Sequence, residues 1–394
     1  MKRIFAGILI CLMLLSLFGC TALNAKGNKT EPPAQTELPD PQTDEVQFVS
    51  DTDTVEAAAV RTQVPVPEAT VLPEPTGEPT EEPTEEPTPA QTGARYQAKD
   101  GVYTIAWISD PQYYSRQFPD YYYAMTQFLR DHREELNLQY IIHTGDLVDG
   151  TNDETQWKVA VTAQSYIDDI PNGVLAGNHD VKDPYGYKYF CKHFGEKHYQ
   201  DKPWYGGSYE DNRGHFDLLT IGETDYIFVY MGFGPNNKAY DWVRKTLLAY
   251  PERIGVLCLH DYYTKSQTLS KDGQKWYDRV VKCTPNLYMV LCGHKYGAYC
   301  FSEEFDDNKD GKADRTVYQM LFNYQASLHD GGGGYLRLIQ INEAEGTMYH
   351  MTYSPVLDDF SRFDDPANRE EYYPFDEKNE EFTLPLPWKI VHDA

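Results

Sequence analysis

Five apolar runs in this chain each stop at residues able to bind a metal ion or move a proton. They end at Asp110 with Gln112, Asp146 with Asp149, Asn178 with His179 and Asp180, His260 with Asp261, and His294. Carboxylates, amides and imidazoles at the carboxyl end of a strand have no packing role there, whereas open α/β sheets place their chemistry at that edge. Metal ions that activate water for phosphoryl transfer take such oxygen and imidazole ligands, and two ions about 3.5–4 Å apart need a shared carboxylate. No single element carries the whole set, so a sheet edge must gather it.

The intervening sequence supplies such an edge. VYTIAWISD (102–110) reads as a strand, 120–136 as a helix with Met125, Phe128 and Leu129 on one face, and LQYIIHTGD (138–146) as a second strand. A helix over 154–169 carries Trp157, Ala160, Tyr166 and Ile167, and the strand of GVLAGNHD follows. This alternation implies parallel βαβ units. HFDLLTI and DYIFVYMGFG flank a turn at 222–225, and then come a helix (240–250), a strand (253–261), a helix (274–283) and a strand (287–294). TVYQMLFNYQ, YLRLIQI and TMYHMTYSP complete the β runs. The expected fold is a two-sheet α/β/β/α sandwich over 96–355, with helices outside.

In this order the strand ends read DPQ (110–112), GDLVD (145–149), GNHD (177–180), LHD (259–261) and GHKY (293–296). The series resembles the calcineurin-like metallophosphoesterase family, whose blocks are D-x-H or D-x-Q, GDxxD, GNH[DE], a lone histidine after a strand, and GHxH. The surrounding text is similar to secreted bacterial members. The resemblance implies that Asp146 bridges two metal ions (Mn, Fe or Zn). Asn178, His260 and His294 would complete one site, and Asp110 and Gln112 would belong to the other. It further implies that a metal-bound hydroxide attacks phosphorus, that His179 faces the leaving oxygen, and that Asp149 and Asp180 orient backbone or ligands. Tyr296 departs from the pattern, standing where the family has its second histidine. A phenol ligates poorly unless a metal lowers its pKa of about 10.

Other polar residues are less committed. His143 reads as a core histidine or one that orients a ligand. Arg213 and His215 are candidates for phosphate contact, or part of a solvated hairpin. Tyr205, Gly206 and Gly207 read as a tight turn lining the cleft, as do Asn323, Tyr324 and Gln325 at a strand end. The glycines of 331–334 lack the lysine and helix of a phosphate loop. DDNKDGKAD (306–314) resembles a calcium loop, with oxygens at Asp306, Asn308, Asp310 and Asp314. Val317 stands where an EF-hand needs glutamate. A structural calcium and a plain acidic turn are both open.

The termini set the context. Lys2 and Arg3 precede an apolar run (4–18), and LFGC resembles a bacterial lipobox, implying cleavage and lipidation at Cys20. The run is short of the roughly 20 residues that span a bilayer. Residues 21–95, with GEPTEEPTEEPTPA, cannot bury enough apolar surface to fold, and read as an extended, disordered linker. Residues 356–394 read as an acidic arm, packed on the domain or disordered. Five cysteines remain beyond Cys20, and Cys258 and Cys292, inside apolar strands, read as buried free thiols. A net charge of −26 disfavours binding to a nucleic-acid duplex. The expectation is a monomeric hydrolase of phosphomonoesters or phosphodiesters, lipid-anchored on the outer side of the cell membrane. The alternative is a surface-displayed binding protein on a non-catalytic scaffold of the same kind.

Overall fold

The computed structural model describes residues 62–63, 95–183, 185–325, 330–360 and 377–390. Its first half lays down parallel strands β2 (Val102–Ile108), β3 (Leu138–His143) and β4 (Asn172–Val174). Between them run α1 (Gln112–Gln117), α2 (Pro119–Asp131) and α3 (Glu154–Ser165). Pro119 opens α2, where its missing N–H costs nothing. Asp153 caps α3 by accepting the amides of Thr155 and Gln156. Two short helices, α4 (Lys188–Phe194) and α5 (Glu196–Tyr199), lead into the second half.

That half begins with the antiparallel strands β5 (Tyr205–Tyr209), β6 (Gly214–Ile221) and β7 (Thr224–Met231). Strands β8 (Ile254–Leu259) and β9 (Leu287–Cys292) then run parallel to β7, joined through α6 (Asn237–Leu248) and α7 (Lys271–Arg279). A hairpin of β10 (Gly297–Phe305) and β11 (Arg315–Asn323) follows, with β11 parallel to β9. The chain then returns to the first sheet as β12 (Leu336–Asn342), β13 (Thr347–Tyr353) and β14 (Glu381–Pro385). One sheet has the order β1-β10-β11-β9-β8-β7-β6-β5 and the other β14-β13-β12-β2-β3-β4, where β1 is Thr62–Gln63.

The two sheets share one apolar interior, in which Tyr140 stacks on Phe228 at 4.1 Å beside Trp107, Met289 and Met320. The outer face of the six-stranded sheet is covered by α1–α5, and that of the eight-stranded sheet by α6 and α7. Strands buried on both faces read as unbroken apolar runs, which is why β7, β8 and β9 stand out in the sequence. The expected sandwich is therefore the observed one.

Several elements differ from expectation. The helix expected at 120–136 is α2 and ends earlier, at Asp131, while α1 is an additional helix that starts directly after Asp110-Pro111 and is separated from α2 at Phe118–Pro119. Strand β5 replaces the expected turn at 205–207, with the Phe216 ring occupying the space beside Gly206. Strand β10 went unforeseen because its charged end, Glu303–Glu304, hides the apolar period. The signal segment 1–20 with Cys20, and most of the 21–95 linker, lie outside the described residues. Within that linker Thr62 and Gln63 pair with Ser302 and Phe301. Among the described residues no helix is long and apolar enough to cross a membrane.

Part of the acidic arm is structural. Strand β14 pairs with β13 and buries Phe382 and Leu384. Phe382 stacks on His350 at 4.6 Å, and the buried Arg337 guanidinium lies over Phe322 (4.7 Å) and Phe382 (5.5 Å). Trp388 then meets Tyr226 of the opposite sheet edge-on at 5.5 Å. Phe382→Ala is expected to cost about 3 kcal/mol of stability, the usual penalty for truncating a buried aromatic. Urea unfolding measures this, and an unshifted midpoint would show that the arm is a passive cover.

Candidate metal centre

Parallel strands from both sheets deliver their carboxyl ends to one edge, and the sequence-predicted ligands meet there. Asp146, His260 and His294 bring one ligand atom each to within 4.8 Å of one another. Asn178 Oδ1 lies 3.0 Å from His260 Nε2, and Asp146 Oδ1 lies 3.4 Å from the same nitrogen. Gln112 donates from Nε2 to Asp146 Oδ2 at 3.2 Å. Asp110 closes the group through His294, whose backbone amide donates to both its carboxylate oxygens at 3.0 and 3.1 Å.

Backbone shape makes this approach possible. Asp110, Asp146 and His294 have φ of 53°, 52° and 69°. Left-handed non-glycine residues cost of order 1–3 kcal/mol each when strained, and they concentrate at functional sites. A side chain at Gly177 would strike the Asp146 carboxylate and amide, and one at Gly293 would strike the Asp110 carboxylate. The glycines of GNHD and GHKY are thus required by close approach.

Each ligand is held from behind. Trp107 Nε1 donates to Thr144 Oγ1 (3.0 Å), Thr144 to Ser109 Oγ (2.8 Å), and Ser109 to Asp110. His260 Nδ1 sits 2.8 Å from the Thr144 carbonyl, which fixes Nδ1–H as donor and turns Nε2 into the site. Asp180 accepts the amides of Gly177 (2.7 Å) and Val148 (3.0 Å), so it orients backbone as expected. His143 is a buried histidine bonded to Tyr122 at 2.8 Å. Phe233, missed in the sequence, places its ring 6.0 Å from the His260 ring and 5.9 Å from that of His294.

The electrostatics call for a cation. Burial pushes the Asp110 carboxyl up to about 7; His260 works against this and Asp146 adds to it. Burial also opposes ionisation of Asp146, yet His260 more than offsets it and holds that carboxyl below the usual range. His260 is raised to about 10 against its burial by Asp146 and Asp110, while burial and His260 depress His294 to about 2. Gln112 Oε1 is buried with no partner. An orphaned acceptor, two carboxylates and two imidazoles form a donor set suited to Mn, Fe or Zn, so the residues fit the metals expected here. Ligand deprotonation couples that binding to pH.

Beside this group stands His179. Its backbone amide donates to Asp146 Oδ1 at 2.8 Å, and its Nδ1 lies 2.9 Å from Asp149 Oδ1. Arg116 Nη1, on the unforeseen helix α1, donates to Asp149 Oδ2 at 2.7 Å. Lys182 Nζ reaches the same Nδ1 at 2.9 Å. An ammonium wants a lone pair there and a carboxylate wants an N–H. Two Asp149 oxygens lie beside Nδ1, Oδ1 at 2.9 Å and the carbonyl at 3.1 Å, and favour Nδ1–H; burial lowers the His179 pKa, but Asp149 and Asp146 raise it overall. No spacing rule marks Arg116 or Lys182 in the sequence.

Other candidates fall elsewhere. His215 is a correction. It is fully buried, stacked 4.4 Å from Tyr230 in the interior, and burial depresses its pKa to about 3, so it does not contact phosphate. Arg213 pairs with Glu210 at 2.6 Å and lies 4.7 Å over Tyr187. Tyr296 carries the Lys265 ammonium over its ring at 4.7 Å. Asp306, Asn308, Asp310 and Asp314 turn their oxygens onto amides of their own loop, as in Asp306 Oδ2 with Gly311 N at 2.8 Å and Asp314 Oδ2 with Asp307 N at 2.7 Å. Cys191, Cys258, Cys283, Cys292 and Cys300 are free thiols, with Cys258 and Cys292 buried as expected.

A two-sheet sandwich that gathers an Asp/His/Asn cluster beside a His–Asp pair is the arrangement that the resemblance to calcineurin-like phosphoesterases implies. The family model for calcineurin-like phosphoesterases matches residues 103–298, and the chain belongs to that family. An uncharacterised Bacillus subtilis (strain 168) protein, YvnB, is 42% identical over 280 residues, covering 70% of this chain and 22% of YvnB. The chain thus spans about a fifth of that relative's length. Among solved structures, GAP50, the anchor in the inner membrane complex of Plasmodium, is 11% identical with a TM-score of 0.44, over 66% of this chain and 86% of that one. A cold-active protein-tyrosine phosphatase from a psychrophilic Shewanella is 12% identical with a TM-score of 0.31, over 68% and 83%.

The hydrogen bond from His179, against partial burial and with help from Arg116, holds the Asp149 carboxyl down at about 2, below its ordinary 3.8. A depressed carboxyl stabilises the fold above its unfolded pKa, and that contribution disappears as pH falls through the folded value. Metal-free wild type should therefore lose more stability between about pH 4 and 2 than Asp149→Asn does. Parallel acid-unfolding curves for the two proteins would contradict this.

Proposed function

We propose that this protein hydrolyses phosphomonoesters or phosphodiesters with metal ions held by Asp110, Gln112, Asp146, Asn178, His260 and His294. The observation that carries the reading is the convergence of Asp146, His260 and His294 beside the His179–Asp149 pair. Bound metal supplies a Lewis acid and lowers the pKa of water toward neutrality. The chain's own residues do the rest. Asp149 holds His179 through Nδ1, leaving Nε2 to carry a proton toward the leaving oxygen. Arg116 donates to the Asp149 carboxylate and Lys182 to the Asp149 carbonyl at 3.0 Å, and both set positive charge at the rim of a strongly acidic protein.

Purified chain supplied with Mn, Fe or Zn should hydrolyse p-nitrophenyl phosphate or its bis ester, lose activity to chelator, and regain it on metal return. His179→Ala and Asn178→Ala should each lower kcat by about 10²-fold or more while the protein stays folded. No turnover with any metal, or full turnover in both variants, overturns the assignment.

On the sequence of the amino terminus alone, we further propose a lipid anchor at Cys20 that places the domain outside the cell membrane. Cys20→Ala should move the protein out of the membrane fraction. Unchanged partition would remove the anchor from the account.

A further inference from the structure

Tyr296 leaves the Asp110–Gln112 side of the centre without the imidazole found in the family pattern. That side therefore depends on a neutral carboxamide, and a carboxamide helps only if its oxygen, and not its nitrogen, faces the metal. At Gln112 the choice is settled by the neighbours of Nε2. One is Asp146 Oδ2, at 3.2 Å, which when ionised can only accept. The other is Gln325 Oε1. Turning the amide over would set its oxygen against both, so Nε2 stays where it is and Oε1 is left buried and unpartnered.

Gln325 is well placed for this task. It follows β11, which runs parallel to β9, so its backbone arrives at the same edge as His294. Its amide donates to Asn323 Oδ1 at 2.9 Å, and the residue is 6% exposed. The order of constraint is clear: Asp146 fixes Gln112, and Gln112 with Gln325 completes the pair, each N–H meeting an acceptor.

Resting on the metal-dependent reading above, we propose that Gln325 is a positioning residue whose side-chain oxygen turns the Gln112 carboxamide oxygen toward the metal shared with Asp110 and Asp146. Without that acceptor the Gln112 amide is held by Asp146 alone, and its oxygen is presented less firmly to the weaker side of the centre. The NYQ strand end thereby gives the centre an anchor on the side that the histidine-to-tyrosine change weakened.

The test is Mn2+ titration of the purified full chain, followed by the electron paramagnetic resonance of free and bound ion. Gln325→Met keeps the volume and removes the acceptor. It should weaken one binding event by about tenfold or more and leave the other unchanged, the usual scale for removing a residue that orients a ligand. Gln325→Glu keeps the acceptor and should retain both events. The double variant with Gln112→Met should bind no more weakly than Gln112→Met alone, because the two residues act as one unit. Gln325→Ala is run beside these, so that a folding defect peculiar to methionine does not decide the result. Two wild-type binding events in the folded Met and Ala variants, or additive losses in the double variant, overturn the inference while the hydrolase reading stands. Absence of Mn2+ binding to wild type removes both.

Discussion

Everything at the site depends on keeping two carboxylates, Asp110 and Asp146, buried together at the seam between the sheets. Each is 1% exposed. Like charges so placed cannot both ionise without compensation, and burial alone would neutralise them. The protein compensates locally. His260 lies against Asp146, the His294 amide bonds Asp110, and the His179 amide bonds Asp146. The compensation remains incomplete, since Asp110 is still pushed up to about 7. The donor atoms are arranged to accept a cation, which would supply the rest.

That demand explains the architecture. Strand ends bring ligands from distant parts of the chain to one point while leaving their backbone groups bonded. Parallel β2, β3 and β4 supply one half, and parallel β7, β8, β9 and β11 the other. The chain must then turn sharply at Asp110, Asp146 and His294, each with positive φ. Those turns are unfavourable in isolation and are held by the aromatic interior below them, where Trp107 and Tyr140 pack between the sheets. The relay from Trp107 through Thr144 and Ser109 to Asp110 links that interior directly to a ligand.

How much of this could be read from sequence follows from the same physics. Strands β2, β3, β8 and β9 were legible because burial on both faces leaves continuous apolar runs that stop abruptly at polar residues. Their ligands were legible for the same reason. Strands β5 and β10 were not, since glycines and glutamates break their pattern, and β14 was hidden in an acidic tail. His215 was misjudged because its residue type suggests solvent, whereas the fold stacks it among Tyr199, Tyr205 and Tyr230. Arg116, Lys182 and Phe233 carry no local signature at all. Arg116 and Phe233 act through partners far away in sequence, as Arg116 does through Asp149, and Lys182 reaches the Asp149 carbonyl as well as its near neighbour His179.

The two sides of the centre are chemically unequal. One side offers two imidazoles with an amide oxygen, and the other offers carboxylate and amide oxygens backed by Gln325. Nitrogen-rich sets favour borderline metals such as zinc and iron, while oxygen-rich sets favour harder ions such as manganese. His294, kept neutral by burial and by its neighbour His260, has its lone pair available over the whole physiological range. No comparable donor stands on the Gln112 side, where a neutral oxygen must serve without charge. Tyr296 adds no nitrogen donor to that side, and its ring carries the Lys265 cation. The inequality therefore follows from the chain itself, and under the metal-dependent reading proposed above the two sides would place different demands on a bound ion.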